Sequence, residues 1–325
     1  MRDLVRLGFT LGDYPRPPGG DVELYDSVLA QVLAAEKAGF DSIWVPDHLM
    51  QNPVVAGREE PMLECYTLLG ALASATSEVR LGAFVSCAAH RNAGLLAKAV
   101  TTLDIISPGR AMFGIGVGWF EAEHLAYGYE FGGVADRFER LVEVLEIVRS
   151  MFTNEQTSYD GRHFRADEAL NFPRPLQAGG PPILIGGSGP RRTLRLVAQY
   201  ADMCNLSGGP ERLRRLMKIL DEHCEAIGRD PDEICRTFTG VVIVRDSEEE
   251  ALAALPESYR HVSREVTDHM SETVRPITGT RQQVVERLRE HIDTGIDGMV
   301  LSCAAQDRKA EYVTLLGGLA REAYG

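Results

Sequence analysis

Short apolar runs and amphipathic stretches alternate along this chain from one end to the other. Apolar runs bounded by turn residues are typical of buried strands, and apolar residues spaced three or four positions apart are typical of helices. The predicted strands are 4–11, 41–45, 79–87, 110–118, 182–187, 201–207, 236–246 and 298–304. The predicted helices are 24–40, 62–76, 93–107, 135–152, 189–200, 210–228, 280–295 and 309–323. We therefore expect eight strand–helix units.

Two segments interrupt this alternation. The segment 154–182 is too long, and too rich in turn residues, for an ordinary connection between neighbouring elements. The segment 247–279 is charged and polar, and its periodicity is weak. We expect both to be irregular insertions that run over the surface and close over a substrate.

The order of the elements predicts an α/β protein with a parallel sheet closed into a (β/α)8 TIM barrel, formed by residues 1–325 as one domain with insertions in its loops. A doubly wound sheet is the competing fold. It usually carries a GxGxxG turn after the first strand, whereas the first turn here reads "GFTLGDYP". The barrel is therefore favoured.

Composition narrows the class of protein. The hydrophobic content of 44% and the charged content of 25% are ordinary for a globular protein with a large core. The net charge of −13 argues against nucleic acid or an anionic membrane as the main partner. The six cysteines are scattered without CxxC spacing, which suggests free thiols in a reducing compartment. With no signal-like or membrane-spanning segment in the sequence, we expect a cytoplasmic protein.

The second predicted strand ends in the pair Asp47–His48. Chemistry in a barrel lies at the carboxyl ends of its strands, so the pair is a candidate for catalysis. In that interpretation Asp47 orients or charge-balances the imidazole, and His48 donates or accepts a proton near neutral pH. The alternative is that Asp47 only ends the strand and His48 is an ordinary surface residue. A metal site is not expected, because the histidines form no HxH or HExxH pair.

The fourth strand ends in "GIGVGW", with glycines at 114, 116 and 118 on one face. Glycine weakens a strand, so three on one face suggest that something flat lies against the backbone there. Tight packing between elements is the alternative. The run is not a dinucleotide-binding fingerprint, because Trp119 stands where that pattern needs glycine.

The fifth strand ends in "GGSGPRRT". Gly186 and Gly187 close the strand, Ser188 or Gly189 suits a helix N-cap, and Pro190 suits a first helical turn. Free amide groups at such a helix start bind anions, and the arginines that follow favour the same ligand. A capped turn without a ligand is the alternative.

These segments together resemble the bacterial luciferase-like monooxygenase superfamily, and within it the deazaflavin (coenzyme F(420))-dependent oxidoreductases of actinobacteria. The resemblance rests on "DSIWVPDHLM", "LGAFVSCAAHRNAGLLAKAVTTLDIISPGRAMFGIGVGWFEAE", "ADRFERLVEVLEIVRSMF", "PPILIGGSGPRRTLRLVAQYADMCN" and "ITGTRQQVVERLREHIDTGID". It covers nearly the whole chain, and it implies a homodimer.

The resemblance also implies roles for individual positions. Asp47 and His48 would lie beside the cofactor ring, with His48 as the catalytic residue. A non-prolyl cis peptide would fall near Phe84–Val85, with Cys87 contacting the ring. Gly116, Gly118 and Trp119 would pack beside the ring. The cofactor phosphate would bind the turn formed by Gly186, Gly187, Ser188 and Gly189.

The sequence departs from the sugar-phosphate dehydrogenases of this superfamily. Those enzymes have a glutamate where Trp119 stands and a tryptophan shortly after the histidine, where Leu49 and Met50 follow here. Sugar-phosphate oxidation is therefore not expected. The predicted activity is hydride transfer between coenzyme F(420) and a small organic substrate, with His48 as proton donor or acceptor. The alternatives are an FMN-dependent monooxygenase and a cofactor-binding protein without turnover.

Overall fold

The computed structural model describes residues 4–12, 14–52, 57–255, 276–304, 307 and 309–325. The strands in this part of the chain are β1 (Leu7–Thr10), β2 (Ser42–Val45), β3 (Arg80–Ala83), β4 (Ser86–Cys87), β5 (Ala111–Gly116), β6 (Gln156–Asp160), β7 (Arg165–Leu170), β8 (Ile183–Gly186), β9 (Met203–Leu206), β10 (Cys235–Val244), β11 (Ile277–Gly279) and β12 (Gly298–Cys303). The helices are α1 (Leu24–Lys37), α2 (Cys65–Ala75), α3 (Ala93–Ile106), α4 (Glu121–Ala126), α5 (Val134–Thr153), α6 (Thr193–Tyr200), α7 (Pro210–Ala226), α8 (Glu248–Ala253), α9 (Arg281–Ile292) and α10 (Ala310–Tyr324).

Eight of these strands close into a parallel barrel. The order around the barrel is β1, β2, β3, β5, β8, β9, β10 and β12, and β12 pairs again with β1. Every pairing in this ring is parallel, as connections through helices require. The (β/α)8 TIM barrel predicted from the alternating pattern is confirmed.

The helices cover the barrel because their apolar faces match its outer surface. Helix α5 alternates buried and exposed positions at helical spacing, and α1 ends where Gly39 adopts a left-handed φ of 82°, at the predicted stop signal. Asn92 caps α3 by accepting from the backbone amides of Gly94 and Leu95. No helix among the described residues is long and apolar enough to cross a membrane.

The barrel interior is filled by side chains from alternate strands, so it is a packed core and not a channel. Trp44 of β2 is fully buried there, and its indole nitrogen donates to the hydroxyl of Ser42 at 3.0 Å. The ring of Phe84 lies 5.5 Å from the ring of Trp44. Phe84 thus rests on the interior core and forms the layer above it, toward the carboxyl ends of the strands.

The two segments expected to be irregular contain regular structure. Within 154–182, β6 and β7 form an antiparallel hairpin. Their residues are mostly exposed, so the alternation of apolar and polar residues that marks a half-buried strand is missing. Within 247–279, α8 and β11 are ordered and β11 extends the sheet beside β10, while residues 256–275 of that prediction lie outside the described residues.

Candidate active site

A cavity opens at the carboxyl ends of β2, β4 and β5. Catalytic residues are expected at this end of a (β/α)8 barrel. Residues from three successive strand ends and from helix α4 meet in it. Its lining consists of Asp47, His48, Phe84, Val85, Ser86, Cys87, His90, Gly118, Trp119, Phe120, Glu123 and His124. The lining includes seven of the twelve predicted site residues, namely Asp47, His48, Phe84, Val85, Cys87, Gly118 and Trp119.

His48 faces this cavity, and Glu123 fixes the orientation of its ring. Its Nδ1 lies 3.1 Å from Oε2 of Glu123, a side chain that is 1% exposed. The ring meets Trp119 and Phe120 edge-on, with centroids 5.7 and 6.1 Å away. The other carboxylate oxygen of Glu123 accepts the backbone amide of Leu49 at 2.7 Å. Glu123 therefore fixes both the histidine ring and the backbone that follows it.

Asp47 does not hold His48, which corrects the prediction that the two act as a pair. Its carboxylate accepts from Arg91 at 2.6 Å and from the backbone amide of Cys87 at 3.1 Å. Successive side chains of an extended segment point to opposite sides, so the neighbours reach different partners. Burial raises the pKa of Asp47, and the Arg91 guanidinium opposes that shift. Arg91 is shared with Glu64, so its charge is neutralised inside the protein.

The third predicted strand, 79–87, is divided into β3 and β4. The peptide between Phe84 and Val85 is cis, at the position that the resemblance implied. The side chain of Val85 fills the space beside Gly116 and Gly186. A methyl group on either glycine would lie 2.9 Å from Cγ2 of Val85. Close packing of strands thus accounts for Gly116, and Gly116 is not among the described residues that line the cavity.

Gly118 is the glycine of the fourth strand end that reaches the cavity. Its φ is 75°, and an added methyl group would lie 2.6 Å from Sγ of Cys87 and 3.1 Å from the ring of His124. A side chain at this position would therefore be both strained and crowded. The thiol of Cys87 lies 3.4 Å from Nε2 of His124, whose Nδ1 lies 3.0 Å from the carbonyl oxygen of Phe120.

His90 is an enclosed polar group of the cavity lining. It is 6% exposed, and neither ring nitrogen has a hydrogen-bond partner among the described residues. Burial lowers the pKa of His90 to about 4, so the ring is neutral at physiological pH. Its Nε2 lies 3.6 Å from Oε2 of Glu123.

The donor atoms of Cys87, His90 and His124 lie within 4.8 Å of one another, a set of residue types that zinc can use. The thiolate is the form that binds a metal, and burial raises the pKa of the Cys87 thiol to about 11. The absence of a metal site stays our prediction.

The fifth strand end forms a turn that differs in detail from the sequence expectation. Helix α6 begins at Thr193, and neither Ser188 nor Gly189 caps it. The hydroxyl of Ser188 instead lies 3.0 Å from the hydroxyl of Ser207 and accepts the backbone amide of Ser207 at 3.1 Å. Gly187 adopts a φ of 113°. The turns after β8 and β9 are thus joined through two serines.

Several residues of the cavity were not assigned from sequence. Glu123 and His124 lie in helix α4, which follows the glycine-rich strand end, and His90 and Arg91 follow β4. The sequence signal that could have identified them is the presence of acidic and histidine residues shortly after a barrel strand. Their partners were not accessible to sequence reasoning, because Glu123 lies 75 positions from His48.

Comparisons with known proteins agree with this architecture. An F(420)-dependent hydroxymycolic acid dehydrogenase of Mycobacterium tuberculosis is 30% identical over 70% of this chain and 62% of its own length, so the alignment spans less than two thirds of that relative. An F(420)-dependent glucose-6-phosphate dehydrogenase of Nakamurella multipartita is 28% identical over 88% of each chain.

A solved structure of an F(420)-dependent secondary alcohol dehydrogenase, in complex with an F(420)-acetone adduct, superposes with a TM-score of 0.82. It covers 98% of this chain and 99% of its own at 20% identity, which shows a shared fold. The family model described as luciferase-like monooxygenase matches residues 7–298. This chain belongs to the luciferase-like monooxygenase family.

Proposed function

We propose that this protein is a deazaflavin-dependent oxidoreductase that moves a hydride between coenzyme F(420) and a small organic substrate. The names of the relatives above support the cofactor, since both curated relatives are described as F(420)-dependent dehydrogenases. The proposal rests on the position of His48. This residue lines the cavity at the strand ends, and its Nδ1 contacts the buried carboxylate of Glu123. Such a ring is positioned to donate or accept a proton.

The residues present fit the cofactor that the family implies. Phe84 and Val85 give the cavity an apolar wall, and Cys87, Gly118 and Trp119 border the same space. An apolar wall and small residues suit a flat ring. Gly186, Gly187, Ser188 and Gly189 would hold the phosphate, and the hydroxyls of Ser188 and Ser207, which are hydrogen-bonded to each other, lie at this turn with one proton left to donate. When bound, the deazaflavin supplies the hydride chemistry, and the protein supplies position and proton transfer.

The proposed substrate is a small organic molecule with a hydroxyl or carbonyl group, and not a sugar phosphate. Among the described residues that line the cavity, no arginine or lysine is present. Arg91 lies next to it but is engaged by Asp47 and Glu64. A phosphate group would therefore meet the carboxylate of Glu123 without a neighbouring free cation from these residues. Trp119 and Phe120, stacked at 5.4 Å, favour an apolar substrate.

Cofactor titration tests the proposal directly. Binding of coenzyme F(420) is expected to quench the fluorescence of the cofactor or of the protein. FMN is expected to bind more weakly. Binding of FMN alone would replace the proposal with the FMN-dependent monooxygenase. A panel of alcohols and ketones then tests for turnover with F(420).

A His48→Ala variant tests the role of the histidine. It is expected to bind the cofactor as before and to lose roughly 100-fold or more of kcat, as general acid–base catalysis contributes. His163→Ala is the matched control, since His163 lies on the hairpin near Asp136 and Glu139. Cofactor binding without turnover on any substrate of the panel would favour the binding-protein alternative.

Two finer expectations remain predictions. The homodimer implied by the resemblance is measured by light scattering coupled to size-exclusion chromatography. The cytoplasmic location is measured by fractionation of the host cell.

A further inference from the structure

Glu123 occupies a position between two imidazole rings. Its Oε2 lies 3.1 Å from Nδ1 of His48 and 3.6 Å from Nε2 of His90. Its Oε1 accepts the backbone amides of Leu49 at 2.7 Å and Met50 at 3.3 Å. With 1% of the side chain exposed, the carboxylate depends on these groups and not on water.

The hydrogen bonds determine the charge of Glu123. Burial by itself raises the pKa of the carboxyl group, but the hydrogen bonds from His48 and from the backbone amides of Leu49 and Met50 oppose burial, and the pKa is lowered. The group is therefore an anion at neutral pH. An ionised carboxylate has no proton to donate, so the hydrogen atom in its contact with His48 belongs to Nδ1 of the histidine.

The consequence for His48 concerns its other nitrogen. A neutral imidazole carries one N–H, so a ring protonated at Nδ1 has a lone pair at Nε2. Nε2 of His48 has no hydrogen-bond partner among the described residues and is not among their buried unpaired atoms. The ring lines the cavity. The lone pair is thus available to a bound molecule.

We propose that Glu123 is a positioning residue that holds His48 as the Nδ1–H tautomer and thereby makes Nε2 the proton acceptor for a substrate hydroxyl. This inference rests on the proposed function. It adds that the reaction at neutral pH runs from the alcohol to the carbonyl compound. The hydroxyl proton of an alcohol passes to Nε2 of His48, and a bound oxidised deazaflavin would supply the acceptor for the hydride from the carbon that carries this hydroxyl. The alcohol becomes a carbonyl compound, and one proton and one hydride are accounted for.

The other ionisable groups around His48 and Glu123 do not compete for this contact. His90 is neutral, Cys87 is a thiol, and His124 contacts Cys87 and the carbonyl of Phe120. Asp47 and Glu64 are engaged by Arg91. Among the described residues, Glu123 is the carboxylate within hydrogen-bond distance of the His48 ring.

The tautomer is measured by nitrogen NMR on protein labelled with ¹⁵N-histidine, with the His48 signals assigned by comparison with His48→Ala. The wild-type protein without cofactor is expected to show protonated Nδ1 and unprotonated Nε2 at neutral pH. In Glu123→Gln the side-chain oxygen can still accept a hydrogen bond from the backbone amide of Leu49, and the side-chain NH₂ group then faces Nδ1 of His48. Because an NH₂ group donates, Nδ1 has to accept, and the ring proton is expected to move to Nε2. A wild-type His48 protonated at Nε2, or a Glu123→Gln protein with the wild-type tautomer, would overturn the proposal.

Glu143→Gln is the matched control. Glu143 is also a buried carboxylate, and it accepts the backbone amides of Arg162, His163 and Phe164 at 2.8 to 2.9 Å. Its substitution is expected to leave the His48 tautomer unchanged. A change of the His48 tautomer in both variants would indicate a general structural effect and contradict the proposal.

Kinetics give the second readout. Glu123→Gln is expected to lower kcat for alcohol oxidation roughly 100-fold, as loss of a general base does, with the cofactor Kd unchanged. A fall in affinity with kcat preserved would assign Glu123 to binding and overturn the positioning role. The NMR experiment needs no turnover, so its result stands even if the protein proves to use another cofactor.

Discussion

The carboxylate of Asp47 accepts a hydrogen bond of 2.6 Å from the guanidinium of Arg91, a residue 44 positions later in the chain. The Asp47 side chain is buried, at 1% exposure, and the Arg91 side chain is half-buried beside it, at 13%. The pair joins the loop after β2 to the loop after β4 and thereby holds two walls of the site together.

Breaking this pair is expected to destabilise the fold. Arg91→Met leaves the Asp47 charge buried without its partner, and such losses cost about 3–5 kcal/mol. The free energy of unfolding in urea measures the effect. Arg281→Met is the control, because Arg281 pairs with Glu322 on the surface and such pairs contribute about 0–1 kcal/mol. An equal loss in both variants would contradict the buried role of Arg91, and so would additive effects in an Asp47→Asn/Arg91→Met cycle.

His90 is expected to make stability depend on pH. Its pKa falls from 6.5 to about 4 on folding, mainly through burial. Between these values the unfolded chain binds a proton that the folded protein does not, so stability is complete above about pH 6.5 and decreases as pH falls toward 4. The full difference is about 3 kcal/mol. Urea unfolding of wild-type protein and His90→Gln across this range measures it, and parallel pH curves for the two would exclude His90 as the source.

Gly118 is expected to be required for its conformation and its space. Gly118→Ala places a methyl group 2.6 Å from Sγ of Cys87 at a φ of 75°, and a residue other than glycine costs about 1–3 kcal/mol in such a conformation. Gly133→Ala is the control, since a methyl group there meets nothing within 4 Å. Thermal unfolding compares the two. The Gly118→Ala loss should be smaller in a Cys87→Ala background, and an unchanged loss would show that Sγ is not the obstacle.

Ser188 is expected to act on the cofactor phosphate. A hydrogen bond to a charged group contributes about 1.5–3 kcal/mol, so Ser188→Ala should weaken F(420) binding at least about tenfold. A deazaflavin that lacks the phosphate should bind both proteins equally. Ser74→Ala, at a hydroxyl that donates to the backbone carbonyls of Gly70 and Ala71, is the control. An equal loss of affinity for both deazaflavins would place the effect of Ser188 on the turn and not on the phosphate.

The local pattern of the sequence predicted most of the barrel. Each strand–helix unit carries its own signal, because a strand buried on both faces reads as an apolar run and a covering helix reads as an amphipathic stretch. The hairpin β6–β7 escaped prediction because its strands are mostly exposed and carry no such signal.

By itself, the sequence indicated the ends of β2, β4 and β5 that line the cavity. Asp47, His48, Gly118 and Trp119 could be named because the carboxyl ends of barrel strands all lie at one face. Only the tertiary structure decided the partners: Asp47 with Arg91, His48 with Glu123, and Gly116 against Val85. The physical reason is that a hydrogen bond depends on distance and direction in space. Glu123 reaches His48 from a helix 75 positions away, and no spacing along the chain encodes that approach.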